Sequence, residues 1–496
     1  ALAEASLAAG RQVLILVPEI GLTPQLVRRI RRRLGLPIAL FHSGLSEGER
    51  ERAWLDAASG RSRVLVGTRS AVFTPLPDLG LVIVDEEHDL SFKQTEGFRY
   101  SARDLAVRRA QRAGCPVLLG SATPSLETLH NARRGRYGVL QLPERAGDAQ
   151  PPEIALLDIR GQPLRGGLSP VLVSLMREQL AAGNQVLLFL NRRGFSPVLT
   201  CHDCGWISAC PHCDARLTLH LADSRLWCHH CGLSRPIPAA CPSCSGLDIR
   251  PVGQGTERLH GELGALFPDV PVARVDRDST RRKGALNRLL ADAGSGRYPL
   301  LVGTQMLAKG HHFPRVTLVG ILDVDNGLYG ADFRAGERMA QLVVQVAGRA
   351  GRAERRGRVV LQTHHPDHPL LQTLRRHGYP AFAATALRER EEAGLPPYAY
   401  QALVRAEAGA RATSLGFLEA AREAALPRAG PAVALLGPVP APMERRAGRY
   451  RAQLLAQSQR RADLQRFLAD WMPRLYGIKG HSRVRWSIDV DPQEMF

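Results

Sequence analysis

An acidic pair, Asp85-Glu86, follows directly after the apolar run at residues 79–84. A carboxylate at the end of a buried strand can hold Mg²⁺, and its neighbour can orient and activate a water molecule that attacks a phosphate. We therefore predict that Asp85 and Glu86 are catalytic in nucleotide hydrolysis, and that Glu87 and His88 contribute to nucleotide binding. An acidic pair is also common at the start of a helix, so this interpretation depends on other groups in the chain.

Arginines suited to a nucleotide phosphate occur far downstream, in the segment QVAGRAGR at 345–352. There Gln345, Arg349 and Arg352 are spaced i, i+4 and i+7, which would place them on one face of a helix. Arginines presented in this way can stabilise charge on the γ-phosphate during hydrolysis. We predict that Arg349 and Arg352 are catalytic and that Gln345 binds the nucleotide.

Two segments combine groups that could hold nucleic acid. The segment GTQMLAKGHHFP at 303–314 offers a small residue, a hydroxyl and an amine to phosphates, while the loop at 91–104 places aromatic rings among basic side chains. Rings of this kind can stack on bases, although they could equally pack onto their own domain. The predicted nucleotide contact is Gly303, and the predicted DNA contacts are Phe92, Lys93, Phe98, Arg99, Tyr100, Thr304 and Lys309.

Four Cys-x-x-Cys pairs contain eight of the nine cysteines, and they lie close together in the chain. Because four thiolates fill one tetrahedral zinc shell, eight predict two structural zinc ions rather than disulfides in this otherwise Cys-poor chain. Three pairings are possible, and we favour the nested one, since the two middle pairs flank a plausible hairpin at 214–227. One zinc then binds Cys201, Cys204, Cys241 and Cys244, and the other binds Cys210, Cys213, Cys228 and Cys231.

The elements that must position these groups are short Val/Ile/Leu-rich runs that alternate with helix-like segments. Near-continuous apolar runs between helices predict parallel sheets buried on both faces, with ligands at the carboxyl ends of the strands. The pattern occurs twice, so we predict an α/β protein with two similar lobes in tandem and a small C-terminal α+β domain. The predicted boundaries are 1–150 for lobe 1, 151–385 for lobe 2, 199–250 for the Cys-rich insert and 386–496 for the C-terminal domain.

The chain carries a formal net charge of +19, which favours a polyanionic partner such as nucleic acid. A bias towards arginine in a GC-rich genome is the alternative explanation. No apolar run is long enough to span a bilayer, and the N-terminal residues do not resemble a signal peptide. The clustered cysteines are typical of a reducing compartment, so the sequence predicts a cytoplasmic protein without membrane contacts.

Several of these motifs, taken together, resemble the PriA family of bacterial replication-restart helicases, also called primosomal protein N′. The resemblance implies two tandem RecA-like lobes and an ATP-dependent, 3′-to-5′ DNA helicase of superfamily 2 that uses Mg-ATP. It also implies forked DNA, single-strand binding protein and primosome or helicase-loading proteins as partners. The motifs that carry it are VPEIGLT, DEEH, FKQTEGFRYSARD, GSATPS, NRRGF with the Cys pairs, GTQMLAKGHHFP, DVDNGLYGADFRAGERMAQL and QVAGRAGR.

One expected motif is missing from the sequence. A phosphate-binding P-loop has the pattern G-x-x-x-x-G-K-[ST], and no lysine here is followed by Ser or Thr. We expect that the chain is an N-terminally truncated helicase, inactive as printed, which begins inside the helix that follows the P-loop. The alternative is a non-catalytic, fork-binding primosome scaffold that has lost its ATPase activity. The upstream coding sequence would separate the two hypotheses.

Overall fold

The structure is a computed structural model, and it describes residues 1–18, 24–142, 152–190, 198–212, 216–220, 224–228, 232–251, 256–275, 285–304, 313, 315–322, 324–329, 332–348 and 357–495. The chain divides into two compact units, Ala1–Tyr137 and Gly138–Phe496, and each is described by itself. Among the helices of the described residues, none is long and apolar enough to cross a membrane.

The described residues of the first unit include five parallel strands and five α-helices. The strands are β1 (Gln12–Leu16), β2 (Ile38–Phe41), β3 (Val64–Gly67), β4 (Leu79–Asp85) and β5 (Val117–Gly120). The helices are α1 (Leu2–Ala8), α2 (Pro24–Leu34), α3 (Glu47–Ala58), α4 (Ala102–Ala113) and α5 (Leu126–Arg133). The strand order β2-β3-β1-β4-β5 confirms the predicted parallel sheet, and every residue of the central β1 is buried.

The register of this sheet places its polar strand ends side by side. Ile15 of β1 pairs with Val66 of β3 and with Ile83 of β4. On the other side of β4, Asp85 pairs with Gly120, the last residue of β5. All five strands point the same way, so their carboxyl ends form one rim, as expected for a ligand-binding α/β sheet.

The second unit contains the remaining strands and helices. The strands are β6 (Glu153–Asp158), β7 (Gln185–Leu190), β8 (Leu199–Cys201), β9 (Leu217–His220), β10 (Arg225–Cys228), β11 (Ser234–Pro236), β12 (Ile249–Pro251), β13 (Val272–Val275), β14 (Leu300–Gly303), β15 (Val316–Leu322), β16 (Arg358–Thr363), β17 (Tyr400–Ala408), β18 (Ala434–Arg446), β19 (Arg449–Ser458) and β20 (Arg485–Val490). The helices are α6 (Pro170–Ala181), α7 (Thr256–Leu266), α8 (Ala285–Gly294), α9 (Val324–Tyr329), α10 (Ala335–Ala347), α11 (Pro369–Glu392), α12 (Arg411–Ala429) and α13 (Arg461–Leu475).

A six-stranded parallel sheet, ordered β13-β14-β7-β15-β16-β6, is the second lobe. Five of its strands coincide with predicted apolar runs, but the edge strand β6 was not predicted. This strand pairs on one side only and none of its residues is fully buried, so its sequence lacks the continuous apolar signal of the central strands.

The Cys-rich region consists of two small antiparallel sheets. Strands β8 and β12 pair with each other, and β9, β10 and β11 form a three-stranded sheet whose β9–β10 hairpin confirms the predicted one.

The C-terminal domain is an antiparallel sheet, ordered β18-β19-β17-β20, covered by α12 and α13. Its core includes the residues on the apolar face of α13, which are Leu464, Phe467, Leu468, Trp471 and Leu475. Trp471 donates a hydrogen bond from Nε1 to the Ala421 carbonyl at 2.9 Å.

Candidate functional site

The acidic pair lies at the rim of the first sheet. Asp85 ends β4 with its side chain exposed, and its Oδ1 accepts a hydrogen bond from the Glu86 amide at 3.1 Å. Desolvation raises the pKa of Asp85, and that amide opposes the shift. Glu86 adopts a left-handed backbone conformation with φ of 49°, which is uncommon for a residue other than glycine. The chain therefore turns sharply at the point where the predicted catalytic carboxylates follow one another.

His88 connects this turn to the end of the neighbouring strand. Its Nδ1 lies 2.7 Å from Ser121 Oγ and 3.6 Å from Glu86 Oε2. Ser121 in turn accepts a hydrogen bond from the Thr123 amide at 2.9 Å. The segments that follow β4 and β5 therefore meet at this rim. The imidazole ring of His88 thus lies between Glu86 and the 121–123 segment.

Glu87 points the other way, into the protein. Its carboxylate is 2% exposed, and every hydrogen bond described for it comes from a protein group. The donors are the Ser125 amide at 2.7 Å, Ser125 Oγ at 3.1 Å, Thr128 Oγ1 at 2.9 Å and Arg103 Nη1 at 3.2 Å. Glu87 thus fastens the start of α5 to the strand end, and its predicted role in nucleotide binding stays a prediction without structural support.

Arg103 links the aromatic loop to the same carboxylate. Burial acts to lower its pKa, but Asp104 and Glu87 outweigh that effect and the pKa is raised. Its Nε donates to Asp104 Oδ1 at 2.9 Å, and its Nη1 donates to Ser125 Oγ at 2.9 Å. The C-terminal end of the loop at 91–104 is therefore attached to the residue that follows the predicted catalytic pair.

The other end of the loop is held by Arg69, which the sequence analysis did not assign to the site. Its Nη1 donates to the carbonyl oxygens of Ser91 at 3.1 Å and Lys93 at 3.0 Å. Lys93 is 7% exposed and forms a β-bridge with Ser101, which closes the loop. The Lys93 side chain is therefore largely buried where the loop closes, and its predicted DNA contact stays a prediction.

The aromatic residues of the loop divide into a buried and an exposed set. Phe92 is 2% exposed and belongs to the core of the first unit, so in this conformation it offers no face to a base. Phe98 is 78% exposed and stacks on Tyr100 with ring centroids 5.8 Å apart. Tyr100 also contacts Phe73 at 4.8 Å, a residue the sequence analysis missed because it lies in a separate segment. The structure favours Phe98 as the ring open to a ligand, with Arg99 beside it in sequence.

Four cysteines of the insert form a metal-binding arrangement. The sulfur atoms of Cys201, Cys204, Cys241 and Cys244 all lie within 4.8 Å of one another. Two of the Sγ–Sγ distances, Cys201–Cys244 and Cys204–Cys241, are 3.7 Å. A tetrahedral zinc with Zn–S bonds of about 2.3 Å requires sulfurs about 3.8 Å apart, so the set fits zinc. The nested pairing predicted for the outer cysteines is confirmed.

The turns that carry these cysteines repeat one backbone pattern. In two of them an amide donates to the sulfur two residues earlier, from Trp206 to Cys204 and from Ser243 to Cys241, both at 3.4 Å. His212 donates to Cys210 in the same way, at 3.4 Å. Such hydrogen bonds favour the thiolate form that binds metal. Cys210 and Cys228 are buried in the core of the insert, whereas Cys213 and Cys231 lie outside the described residues, so the second zinc site stays a prediction.

The predicted residues of the second lobe are only partly within the described chain. Gly303 is buried at the carboxyl end of β14, and the amide of Thr304 lies 3.4 Å from the Val275 carbonyl at the end of β13. Gln345 lies near the end of α10, which Gly348 caps. The predicted residues Lys309, Arg349 and Arg352 lie outside the described residues.

Models of known protein families match four parts of the chain. The DEAD/DEAH box helicase model matches residues 1–132, and the helicase conserved C-terminal domain matches 254–354. The PriA DNA helicase Cys-rich region matches 210–236, and the primosomal protein N C-terminal domain matches 391–493. The first two matches define the class: the two parallel sheets are the RecA-like lobes of a superfamily 2 helicase.

Similar proteins identify the family within that class. The replication restart protein PriA of Haemophilus influenzae is 49% identical over 99% of this chain and 67% of its own length. That of Bacillus subtilis is 41% identical over 99% of this chain and 62% of its own length. The chain belongs to the PriA family, and it spans about two thirds of these relatives. A solved structure of RecG bound to a three-way DNA junction is 17% identical over 76% of this chain and 40% of its own, with a TM-score of 0.43.

Proposed function

We propose that this chain is the core of an ATP-driven, 3′-to-5′ DNA helicase that acts at stalled replication forks. The observation that carries the proposal is the rim of the first sheet, where Asp85 and Glu86 follow β4 and His88 connects them to Ser121. Family membership supports the assignment, because relatives that match nearly the whole chain carry the name replication restart protein.

In this proposal each predicted site residue, in the first sheet and in the second lobe, has a distinct role in nucleotide binding or hydrolysis. Asp85 binds Mg²⁺, which would neutralise charge on the phosphates, and Glu86 accepts a proton from the attacking water. Arg349 and Arg352 stabilise the γ-phosphate, and Gln345 and Gly303 contact the nucleotide. His88 and Ser121 transmit the state of Glu86 to the 121–123 segment. Hydrolysis also needs a phosphate-binding lysine, and the printed sequence contains no G-x-x-x-x-G-K-[ST] segment.

DNA is proposed to contact the first unit at two places. One is the loop at 91–104, where Phe98 can stack on a base and Arg99 can meet a phosphate. The other is α2, whose exposed arginines 28, 29, 31, 32 and 33 make a strongly basic helix face. Arg103 then joins the loop to Glu87, directly after the catalytic pair, which offers a short route from DNA contact to hydrolysis. Thr304 and Lys309 are proposed to hold the DNA backbone on the second lobe.

The Cys-rich region is proposed to bind two zinc ions, one in each nested set of four cysteines. The outer set has the sulfur spacing of a tetrahedral site. Single-strand binding protein and primosome or helicase-loading proteins are the proposed partners of the complete protein.

Strand displacement on forked DNA tests the proposal. The assay uses a protein that joins this chain to a phosphate-binding loop, with forks whose single-stranded arm has either a 3′ or a 5′ end. ATP-dependent displacement that requires a 3′ tail for tracking is expected. Tight fork binding without ATP-dependent displacement would favour the second candidate, a non-catalytic scaffold.

A further inference from the structure

Three buried side chains join the parallel sheet of the second unit to the zinc turn at Cys201–Cys204. Asp325 lies in α9, directly after β15, and His364 directly follows β16. His202 lies inside the Cys201-His202-Asp203-Cys204 turn. His364 Nδ1 is 2.7 Å from Asp325 Oδ2, and His364 Nε2 is 2.9 Å from His202 Nδ1. His202 Nε2 completes the series at 2.9 Å from the Gln162 carbonyl oxygen.

Every ring nitrogen of the two histidines has a polar partner in this series. Both nitrogens of His364 and both nitrogens of His202 lie within hydrogen-bond distance of another polar atom. Asp325 also accepts hydrogen bonds from the His364 amide at 2.9 Å and from Thr363 Oγ1. These hydrogen bonds offset the free-energy cost of burying the Asp325 carboxylate, which would be large if the carboxylate had no partner.

Two further contacts hold the insert against the same surface. Gly205 has φ of 80°, and a Cβ there would lie 3.0 Å from the His364 carbonyl oxygen, so the zinc turn packs directly on the backbone of His364. The Arg216 guanidinium lies 5.3 Å from the ring centroid of Tyr329, at the end of α9. The zinc turn therefore meets the segments that carry Asp325 and His364 through backbone packing and a hydrogen-bonded series, while the inner hairpin contacts α9 through Arg216.

The inner half of the insert has different neighbours. His220 Nδ1 lies 3.7 Å from Glu444 Oε2 in β18, and Arg411 Nε lies 2.6 Å from Glu444 Oε1. Arg411 also lies 5.7 Å from the ring centroid of Trp227. These contacts join the hairpin to the C-terminal domain, in addition to the contact of Arg216 with Tyr329. The hydrogen-bonded series from Asp325 reaches the outer set at His202, so the inner site serves as the comparison for the outer one.

We propose that Asp325 and His364 are positioning residues for the outer zinc centre. Zinc binding at that centre is then coupled to how well ordered the segments that contain Asp325 and His364 are. The inference rests on the zinc part of the proposed function and is independent of hydrolysis. Coupling of this kind is reciprocal: whatever weakens the link lowers zinc affinity, and loss of zinc loosens the strand ends. The conformational order of the segment that follows β15 then depends on zinc occupancy, although no residue of that segment is a predicted zinc ligand.

The test uses His364→Asn in the chain as it stands, because Asn can keep the bond to Asp325 while it loses the reach to His202. Metal content is measured first, and then the affinity of each zinc by competition with a chromophoric chelator. We expect about two zinc ions per chain in both proteins, with one of them bound about tenfold more weakly in the variant, the effect of one buried hydrogen bond. His377→Asn, the same change at an exposed position in α11, should leave both affinities unchanged.

Hydrogen exchange provides the reciprocal measurement. Removal of zinc from the unaltered chain should speed amide exchange in 324–329 and 363–365, with no change in the core of β17. Equal zinc affinities in His364→Asn and the unaltered chain, with only a lower melting temperature in the variant, would reduce His364 to a structural residue of the lobe and overturn the inference. Absence of zinc from the unaltered chain would instead overturn the zinc assignment itself.

Discussion

Each parallel sheet has an aspartate at or shortly after a strand end, and the two aspartates lie in opposite environments. In the first, Asp85 ends β4 with an exposed carboxylate, and desolvation raises its pKa. In the second, Asp325 lies three residues after the end of β15 and is 4% exposed. Burial acts to raise its pKa as well, but the hydrogen bond and charge of His364 outweigh burial and the pKa is lowered. Asp85 is exposed to a ligand, whereas Asp325 binds His364, which in turn binds His202 of the zinc region.

The two aspartates do not occupy the same position in their lobes. In the segments LVIVDEEH and VGILDVDN, the residue that matches Asp85 is Asp323, which lies outside the described residues, and Asp325 is two positions further on. The neighbouring strands also differ: β5 ends in Gly120, which has no side chain, whereas β16 ends in Thr363, and both Thr363 and His364 bind Asp325. An acid near a strand end therefore takes its role from the adjacent strand as well as from its own segment.

The largest expected effect is on nucleotide turnover by the first sheet. The chain as printed should show no appreciable ATP hydrolysis, with or without forked DNA, because it contains no phosphate-binding P-loop lysine. A steady-state phosphate-release assay measures this. ATP hydrolysis by the printed chain that disappeared in the Glu86→Gln variant would contradict this expectation. Another residue would then have to supply the positive charge of the P-loop lysine.

The second largest effect is expected on stability, and it should separate the two aspartates. Asp325→Asn should lower the free energy of unfolding of the second unit by about 3–5 kcal/mol, because it breaks a buried ion pair. Asp85→Asn should change stability by about 0.5 kcal/mol or less, as for other open side chains. Denaturant unfolding measures both. Similar losses in the two variants would remove the distinction between a ligand-facing and an attachment carboxylate.

Much of this contrast could not be predicted from the sequence. Apolar runs located the central strands and the Asp85 rim, and Cys spacing identified the outer zinc set, because those signals are local. The bond between His202 and His364 spans 162 positions, and no local pattern marks it. The burial of Phe92 and the inward orientation of Glu87 also depend on tertiary packing. For the edge strand β6, partial exposure removed the continuous apolar run that identified its neighbours.

A smaller effect is expected on DNA binding by the first unit. Phe98→Ala should weaken binding of single-stranded DNA by the equivalent of about 1–3 kcal/mol, the contribution of one stacked base. Binding by the unaltered chain should fall steeply with salt, because phosphate contacts dominate it. Fluorescence anisotropy with a labelled oligonucleotide provides the measurement. Tyr476→Ala is the matched control, since that ring is 62% exposed in the other unit; an equal loss there would argue against a specific platform.

The smallest expected effect is in the pH dependence of stability, where the two aspartates should have opposite signs. A raised pKa means that folded Asp85 binds its proton more tightly than the unfolded chain does. Its contribution to stability is therefore present below the ordinary pKa of 3.8 and is lost as pH rises through the folded pKa. A lowered pKa means that the contribution of Asp325 is present above 3.8 and is lost as pH falls through the folded pKa.

Unfolding of the unaltered chain and of each Asn variant over about pH 3–7 isolates these contributions. The stability difference between the unaltered chain and Asp85→Asn should decrease with rising pH, and the difference for Asp325→Asn should increase. Two slopes of the same sign would show that the environments of the two acids are alike.

The most direct test of the central claim, that the rim of the first sheet performs the chemistry, is ATP turnover by Glu86→Gln. It is measured in a protein that joins this chain to a phosphate-binding loop, with Glu51→Gln on the exposed face of α3 as the matched control. We predict that Glu86→Gln lowers kcat by about 10²- to 10⁴-fold while Glu51→Gln does not change it. Full turnover by Glu86→Gln would contradict the account, because the water would then be activated by another group.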